Sequence, residues 1–334
     1  MKAINKPIEF YLGRASEPLR EKMLHSIDLL RKSESLAKRY AAGGFYLAFS
    51  GGKDSQALYH ITELAGVAFE AEMSLTSVDH PEVVRFIRRN YPEVRIVPPR
   101  TSMFKLIPHK GVLPTRIIRY CCAILKEPHG EGRVVLTGVR KAESTQRSKR
   151  GEVEVSNHKF SGTLDTFADW QEQAVAKKMA KGIKHLNQDQ FAEQGETQVR
   201  CINGKDKIIV NPIIEWSDAE VWEFLNDVVG VPHCELYDNG YTRIGCILCP
   251  MSNLATKQRF IRDYPKMALA YKRAIREMLR VQPRAGEYLA AYVSDPDELV
   301  DRVFDWWISG LSWPKYIAKN FLQGRLDLNP KTAK

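Results

Sequence analysis

Residues 45–56 read Phe45-Tyr-Leu-Ala-Phe-Ser-Gly-Gly-Lys-Asp-Ser-Gln56, an apolar run that ends in a glycine pair. An uncharged run of this length, closed by glycine, is typical of a strand that is covered on both faces of a parallel sheet. Helical spacing follows, because Leu58, Ile61 and Leu64 recur every three residues and Gly66 is placed to end the helix. The segment therefore predicts a strand, a tight turn and a helix, in that order.

The turn between them, Ser50-Gly-Gly-Lys-Asp-Ser55, predicts an anion-binding loop. Glycines accept positive φ and let the backbone approach an anion, and the first N–H groups of the helix point toward that anion. The loop lacks the four-residue spacer of the Walker motif and the third glycine of the dinucleotide fingerprint. Phosphate is the expected ligand, and an ordinary tight connection is the alternative.

Composition restricts the class of protein. The 334 residues include 50 Lys or Arg against 40 Asp or Glu, a balance that permits a polyanionic partner without requiring one. No apolar run approaches the roughly 18 residues of a membrane span, and the first residues lack the apolar region of a signal peptide. We therefore predict a cytoplasmic protein that does not bind a membrane.

Strands and helices alternate after the loop. This alternation predicts an α/β fold with a doubly wound parallel sheet, whose ligands bind outside the carboxyl ends of the strands. Pro81 is placed to start one of the crossover helices. The predicted elements are strands at about 67–76, 94–97, 134–137 and 208–214, and helices at about 18–42, 81–90 and 164–179.

Three regions are expected along the chain. We predict an N-terminal helical segment at 1–43, a nucleotide-binding domain at 44–250 and a basic helical region at 251–334. Residues 151–206 are polar and fit the sheet pattern poorly, so we predict an inserted helical arm with loops there.

Arg140 follows the carboxyl end of the fourth predicted strand, in the turn Gly138-Val-Arg140. A guanidinium at that rim can hold phosphate oxygens in bidentate fashion, and Arg147 can support it. The alternative for residues 141–150 is a solvated run of charge.

Six cysteines in a reducing compartment favour metal binding or catalysis over disulfides. Cys246-x-x-Cys249, beside a glycine and a proline, forms either half of a metal site or a redox dithiol. The adjacent Cys121 and Cys122 can supply two more thiolates, and together they favour one four-thiolate site. The spacing does not choose between zinc and iron–sulfur. Cys201 has no neighbour in sequence and is predicted to be an ordinary thiol.

The C-terminal region is strongly basic. Residues 251–284 carry nine Lys or Arg against two acidic residues, a net charge of 9 − 2 = +7. We interpret residues 257–284 as a site for the backbone of DNA or RNA, and the alternative is the solvated face of surface helices.

Four motifs together resemble the PAPS reductase family of PP-loop ATP pyrophosphatases, over about residues 44–250. They are the loop at 50–55, the cysteine pair before Thr137-Gly-Val-Arg140, Trp216 to Trp222, and Leu236 to Cys249. The resemblance implies binding of ATP, or of PAPS or APS, with Mg²⁺. The residues it implicates are Ser50, Gly51, Gly52, Lys53, Asp54, Ser55, Thr76, Ser77, Asp79, Gly138, Arg140 and Arg147. For Thr76, Ser77 and Asp79 the alternative is a polar turn that caps a helix.

The same resemblance implies a [4Fe–4S] cluster on four thiolates, with zinc as the alternative. The implied ligands are Cys121, Cys122, Cys246 and Cys249.

The sequence departs from the sulfonucleotide reductases of the family, which use a cysteine on a C-terminal segment, because no cysteine follows Cys249. We therefore predict the other chemistry of the PP-loop, with Lys53, Asp54 and Arg140 as catalytic residues. An acceptor oxygen attacks the α-phosphate of ATP, as in tRNA thiolases and the similar ATPase of bacterial DNA phosphorothioation. The alternatives are a sulfonucleotide reductase, and a non-catalytic nucleotide-binding subunit that works with partner subunits in a modification or defence complex.

Overall fold

A computed structural model describes residues 4–180, 205–282 and 287–322. Their contacts divide the chain into two compact units, each described by itself below. The first unit comprises Met1–Ser74, Pro81–Val97 and Pro128–Ile244, and the second comprises Leu75–His80, Pro98–Glu127 and Gly245–Lys334. Cys201 and residues 283 and 284 of the predicted basic site lie outside the described residues.

A seven-stranded sheet forms the centre of the first unit. Its strands are β1 (Phe45–Ala48), β2 (Phe69–Ser74), β3 (Arg95–Val97), β4 (Val134–Leu136), β5 (Val153–Val155), β6 (Phe160–Gly162) and β7 (Ile208–Val210). They lie in the order β3-β2-β1-β4-β7-β5-β6. The helices of this unit are α1 (Ile8–Leu12), α2 (Glu17–Tyr40), α3 (Lys53–Ala65), α4 (Pro81–Asn90), α7 (Leu164–Ala180) and α8 (Asp218–Glu223).

The position of β1 explains where a ligand can bind. Phe45 and Leu47 are fully buried, and β1 pairs in parallel with β2 on one side and β4 on the other. The chain leaves β1 toward β2 and β3, and later returns to β4 on the opposite side. Such a reversal of strand order opens a crevice at the carboxyl ends of the strands. The predicted α/β fold is confirmed, and Gly66 ends α3 in the left-handed conformation, as expected.

Residues 153–162 differ from the prediction of a helical arm with loops. They form β5 and β6, which pair antiparallel with each other, while β5 also pairs antiparallel with β7. The sheet is therefore mixed rather than wholly parallel. Val153 and Val155 alternate into the core, but strands of three residues carry too short a pattern to be recognised without their partner. The later part of the predicted arm, residues 181–204, lies outside the described residues.

The second unit is helical where it is described. Its helices are α5 (Met103–Lys110), α6 (Tyr120–Leu125), α9 (Leu254–Asp263), α10 (Pro265–Val281), α11 (Glu287–Ala290), α12 (Pro296–Ser309) and α13 (Trp313–Phe321). Helix α10 packs against α5 and α12. The Tyr271 ring lies at the centre of this packing, 4.8 Å from the Trp307 ring and 5.4 Å from the Phe104 ring, measured between centroids. None of the described helices in either unit is long and apolar enough to cross a bilayer.

Candidate active site

The loop after β1 rests on α4 of the first unit. Gly51 has φ 72°, a conformation that favours glycine. A Cβ atom at this position would lie 2.8 Å from Val83 Cγ1 and 2.9 Å from Ile87 Cδ1. Glycine is therefore required at position 51 by both the backbone and the packing.

Hydroxyl groups hold the rest of the loop. Ser55 Oγ donates to the Gly52 carbonyl at 2.8 Å and accepts the Ser50 N–H at 3.2 Å. The Tyr237 hydroxyl accepts the backbone N–H of Lys53, in the first turn of α3, at 2.8 Å. A Cβ on Gly52 would lie 3.4 Å from this hydroxyl, an ordinary contact. The protein itself thus leaves room beside Gly52.

Two cations and two carboxylates form a network behind the loop. Lys53 Nζ lies 3.1 Å from Asp54 Oδ1 and 2.8 Å from Asp218 Oδ1. The Arg140 guanidinium donates to the same two oxygens, at 2.8 Å and 2.9 Å, and to the Trp216 carbonyl at 3.2 Å. Each carboxylate is therefore shared by an ammonium and a guanidinium, and the network fixes the Lys53 side chain.

Arg140 is only 2% exposed. Since its Nε and both terminal nitrogens already donate within the protein, the geometry supports a positioning role, and the predicted phosphate contact stays a prediction. Gly138 lets the end of β4 approach α3, because a Cβ on it would lie 2.8 Å from the Asp54 carbonyl oxygen. The ends of β1 and β4 are thereby held together.

A cavity of about 160 Å³ opens over the loop. Three cationic side chains line it: Lys53, Arg147 and Arg243. Arg147 forms an ion pair with Glu143, which also accepts the backbone N–H of Arg140. Within the described parts of the chain, Arg243 has no carboxylate partner. The remaining lining residues are Ala48, Ser50, Gly52, Asp54, Ser55, Gly138, Val139, Glu143, Tyr237 and Ile244.

The network shifts the ionisation of its members. Partial burial raises the pKa of the Asp218 carboxyl, but hydrogen bonds and charges from Lys53 and then Arg140 outweigh burial and lower it. Burial raises the pKa of the Tyr237 hydroxyl, despite its bond with the Lys53 N–H. The phenol is therefore protonated at neutral pH. It accepts one hydrogen bond from the loop and retains its own proton to donate.

Three residues of this site were not assigned a role from sequence: Asp218, Tyr237 and Arg243. Asp218 follows Ser217, which forms a capping box with Glu220, so the local sequence accounts for the helix start but not for the contacts of Asp218. Tyr237 and Arg243 lie inside the motif from Leu236 to Cys249. The motif could have marked both residues as functional. It does not indicate that they lie beside the Ser50–Ser55 loop, which is distant in sequence.

Thr76, Ser77 and Asp79 belong to the second unit. The Asp79 carboxylate accepts the Thr76 backbone N–H at 2.6 Å and the Thr76 hydroxyl at 2.9 Å. Ser77, at φ 65°, accepts the Met103 N–H at 2.9 Å. These contacts describe a closed polar turn, and their predicted contact with adenosine stays a prediction.

The four predicted metal ligands also lie in the second unit. Cys121 and Cys122 open α6, and the Cys121 hydrogen bond acts with the charges of Lys126 and Arg119 to lower the pKa of the Cys122 thiol. Cys249 N–H donates to the Cys246 carbonyl at 3.2 Å, which closes a tight turn between the two cysteines. Cys246 Sγ lies 3.5 Å from the Thr76 hydroxyl.

These thiols do not form a metal-binding group in their present arrangement. Across residues 4–180, 205–282 and 287–322, no three His, Cys, Asp or Glu side chains are placed to share a metal ion. Their donor atoms suit iron–sulfur or zinc, and the predicted four-thiolate site stays a prediction.

The basic C-terminal helices are largely paired with acids. Lys257 is buried, at 4% exposure. Asp263 pairs with both Arg259 and Arg262. The other ion pairs are Lys272 with Asp301, Arg276 with Asp297 and Arg280 with Glu277. Most of the positive charge predicted at 257–284 is therefore matched locally.

Two known proteins are similar in sequence to this chain. The chain is 24% identical over 274 residues to the uncharacterized protein MJ0973 of Methanocaldococcus jannaschii, covering 78% of this chain and 54% of that protein. It is 39% identical over 68 residues to the adenosine 5'-phosphosulfate reductase of Oceanobacillus iheyensis, covering 20% of this chain and 28% of that enzyme. The chain thus spans about half or less of the length of these relatives.

Sequence identity to a similar solved structure is lower than to these two relatives. The FMN adenylyltransferase of Candida glabrata matches with a TM-score of 0.41 and 14% identity, covering 72% of this chain and 67% of that one. The family match is broader, because residues 44–252 match the phosphoadenosine phosphosulfate reductase domain. Those residues contain β1, the Ser50–Ser55 loop, the Asp218 network and all four clustered cysteines. The chain therefore belongs to the phosphoadenosine phosphosulfate reductase domain family.

Proposed function

We propose that this protein is a PP-loop ATP pyrophosphatase that adenylates an acceptor for sulfur transfer or a related modification, with nucleic acid as the acceptor. The observation that carries the proposal is the cavity over the loop, where three cationic side chains meet backbone N–H groups at the start of α3. This arrangement suits the phosphates of an adenine nucleotide. The cytoplasm, where ATP is abundant, is the proposed location.

In the proposed reaction, an oxygen of the acceptor attacks the α-phosphorus of ATP. The new O–P bond forms as the bond from the α-phosphorus to its bridging oxygen breaks, and pyrophosphate leaves with that electron pair. A sulfur nucleophile from a donor then displaces AMP. Lys53, Arg147 and Arg243 would offset the charge that develops on the phosphates, and Arg140 would keep Lys53 and Asp54 in position.

Tyr237 has a role of its own in this proposal. Its hydroxyl lines the cavity and is oriented by the Lys53 N–H, so its proton is available for a phosphate oxygen. Mg²⁺ usually binds through one or two carboxylates together with substrate phosphates. Asp54, which lines the cavity, is the carboxylate that could hold it.

The iron–sulfur cluster predicted on the four cysteines is proposed on the basis of sequence, and no step of the reaction uses it here. The test is anaerobic purification with an iron and zinc count and a visible spectrum. We expect about four irons per chain and their loss in Cys246→Ser. About one zinc and no iron would contradict the cluster.

A sulfonucleotide reductase is the second candidate, because a 68-residue stretch is 39% identical to an enzyme of that name. In that reaction a thiolate attacks the sulfur of PAPS or APS, and the adenosine phosphate leaves with the electrons of the broken S–O bond. A second thiol then attacks the thiol sulfur of this thiosulfonate, so that a disulfide forms and sulfite leaves. The same cavity would hold the nucleotide.

One experiment separates these functions. Pyrophosphate release is measured from ATP alone and with DNA or RNA, and sulfite release is measured from PAPS and APS with a thiol donor. We expect pyrophosphate release that rises with nucleic acid and is lost in Gly52→Val. Sulfite release without pyrophosphate would identify the reductase. Binding of ATP without either product would indicate a nucleotide-binding subunit.

A further inference from the structure

We propose that residues 98–126 of the second unit form the surface that binds the nucleic-acid backbone. This inference rests on the proposed function for the identity of the acceptor, and it assigns the interaction to a different part of the chain than residues 257–284. For brevity we call residues 98–126 the basic segment.

The basic segment contains no Asp or Glu. Its positively charged side chains are exposed. Within the parts of the chain that the structure describes, the five cations between residues 100 and 119 have no carboxylate partner. The basic side chains of the segment are Arg100, Lys105, Lys110, Arg116, Arg119 and Lys126, together with His109. Exposed cations without nearby acids attract a polyanion at long range.

A cleft of about 440 Å³ lies on this segment. Lys105, His109 and Lys110 of α5 line it together with the apolar side chains of Leu106 and Ile124. Because Ile124 belongs to α6, the cleft adjoins the helix that carries Cys121 and Cys122. A basic rim over an apolar floor fits a nucleotide unit, whose phosphate is charged and whose base has apolar faces.

The turn before α6 presents a second binding element. Thr115 N–H donates to the Ile118 carbonyl at 3.0 Å, and the Thr115 hydroxyl accepts the Ile118 N–H at 3.0 Å. Trp307 Nε1 fixes the base of the turn by donating to the Pro114 carbonyl at 2.6 Å. Ile117 is 93% exposed at the tip, beside Arg116. Apolar side chains flanked by arginine commonly contact bases where a protein holds the backbone.

Arg116 lies near another cation. Burial chiefly, together with the charge of Arg116, lowers the pKa of the Lys257 ammonium. The arginines of α10 differ, since Arg276 lies 2.7 Å from an Asp297 carboxylate oxygen. A phosphate that binds Arg276 would have to compete with the Asp297 carboxylate. At Arg116 it would meet no such competitor among the described residues.

The test compares two charge-neutralised variants of the full chain. Arg116→Gln with Arg119→Gln removes two unpaired charges, and Lys272→Gln with Arg276→Gln removes two paired ones. Binding of fluorescent single-stranded and duplex oligonucleotides is measured by anisotropy between about 50 and 200 mM salt. We expect the first variant to weaken binding about tenfold and to flatten the log–log salt slope by about 0.7 to 0.9 for each phosphate that is no longer neutralised. The second should change affinity less than about threefold, since its charges are already paired.

The inference is overturned if the two variants weaken binding equally, if the first does not weaken it, or if the wild type binds neither oligonucleotide at low salt. The third result would point to a protein partner for the exposed isoleucines. Pyrophosphate release is measured on the same samples. Loss of oligonucleotide binding in the first variant, with no pyrophosphate release by the wild type, would retain the surface and reject the proposed function.

Discussion

Positive charge is arranged differently in the cavity of the first unit and in the basic segment of the second. Lys53 and Arg140 are buried and share the carboxylates of Asp54 and Asp218. Arg116 and Arg119 are exposed, without any carboxylate within reach in the described residues. The first arrangement holds side chains in one geometry, whereas the second leaves charge free to act at a distance.

The two arrangements suit different ligands. A fixed, partly buried site can discriminate the positions of individual phosphate oxygens, and salt screens it weakly. Exposed charges attract any polyanion, and their effect fades beyond a Debye length of about 8 Å at physiological ionic strength. We therefore expect nucleotide binding to depend on geometry and oligonucleotide binding to depend on salt.

Gly52→Val should give the largest difference between ATP binding in the cavity and oligonucleotide binding by the basic segment. A valine at this position has room for its Cβ in the protein, but it occupies the approach of phosphate to the loop. We expect ATP affinity to fall at least about 100-fold, or roughly 2.7 kcal/mol, while oligonucleotide binding is unchanged. Isothermal titration measures the first and anisotropy the second. Gly245→Val is the control, because a Cβ there meets nothing within 4 Å. Unchanged ATP affinity in folded Gly52→Val would reject the loop as the phosphate site.

Gly138→Ala tests how much the cavity depends on geometry. The added methyl would lie 2.8 Å from the Asp54 carbonyl oxygen and must separate β4 from α3. Overpacking of this kind costs about 1–3 kcal/mol in the free energy of unfolding, and we expect about tenfold weaker ATP binding. Urea denaturation and titration measure the two effects. Gly245→Ala serves as the control. Full stability of Gly138→Ala would show that the ends of these elements tolerate displacement.

Tyr237→Phe should lower ATP affinity by a smaller factor, and this loss should not depend on the salt concentration. It deletes the proposed hydrogen bond to phosphate, and one hydrogen bond contributes roughly 1 kcal/mol. ATP affinity should therefore fall about three- to tenfold, equally at low and high salt. Tyr59→Phe, which removes the hydroxyl of a buried tyrosine on α3, should have no effect. Tighter binding in Tyr237→Phe would mean that the hydroxyl competes with phosphate instead of binding it.

Asp218→Asn should have the smallest effect, a decrease in the free energy of unfolding that depends on pH. The pKa of the folded Asp218 carboxyl is lowered, so its stabilisation is present above the unfolded value of about 4 and is lost as pH falls through the folded pKa. The side chain is 63% exposed, so we expect a loss of less than about 1 kcal/mol at neutral pH.

Wild type and Asp218→Asn should converge in their free energy of unfolding as pH falls toward 3. Urea denaturation at pH 7 and pH 3 measures this. Asp227→Asn, at an exposed carboxylate outside the ion pairs of the described residues, provides the control. A difference that persists at pH 3 would assign the effect to packing.

Local patterns predicted the parts of the fold that depend on neighbouring residues. The apolar run before Ser50, the left-handed Gly66 and the helix begun by Pro81 each follow from backbone preferences within a few residues, and each is confirmed. Short strands could not be predicted in this way. Residues 153–155 pair with β7, which is distant in sequence, and residues 160–162 pair in turn with residues 153–155.

The candidate site was predictable where one segment supplies it and not where several do. The Ser50–Ser55 loop carries its own signal. Asp218 and Tyr237 reach Lys53 only after more than 160 residues of chain have folded, and no local pattern encodes such contacts. Arg140 shows the reverse case, because its strand-end position was recognised while its contacts with Asp54 and Asp218 were not.

The ring contacts of Tyr237 make the cavity optically observable. The indole of Trp222 meets the Tyr237 ring edge to face, with centroids 4.9 Å apart, and the His233 ring at 5.2 Å. A nucleotide that draws the Tyr237 hydroxyl toward its phosphates would change the surroundings of that indole. The chain has six tryptophans, so Trp222→Phe identifies the share of emission that belongs to this one. Tryptophan fluorescence would then follow filling of the cavity in real time, without any label on the nucleotide.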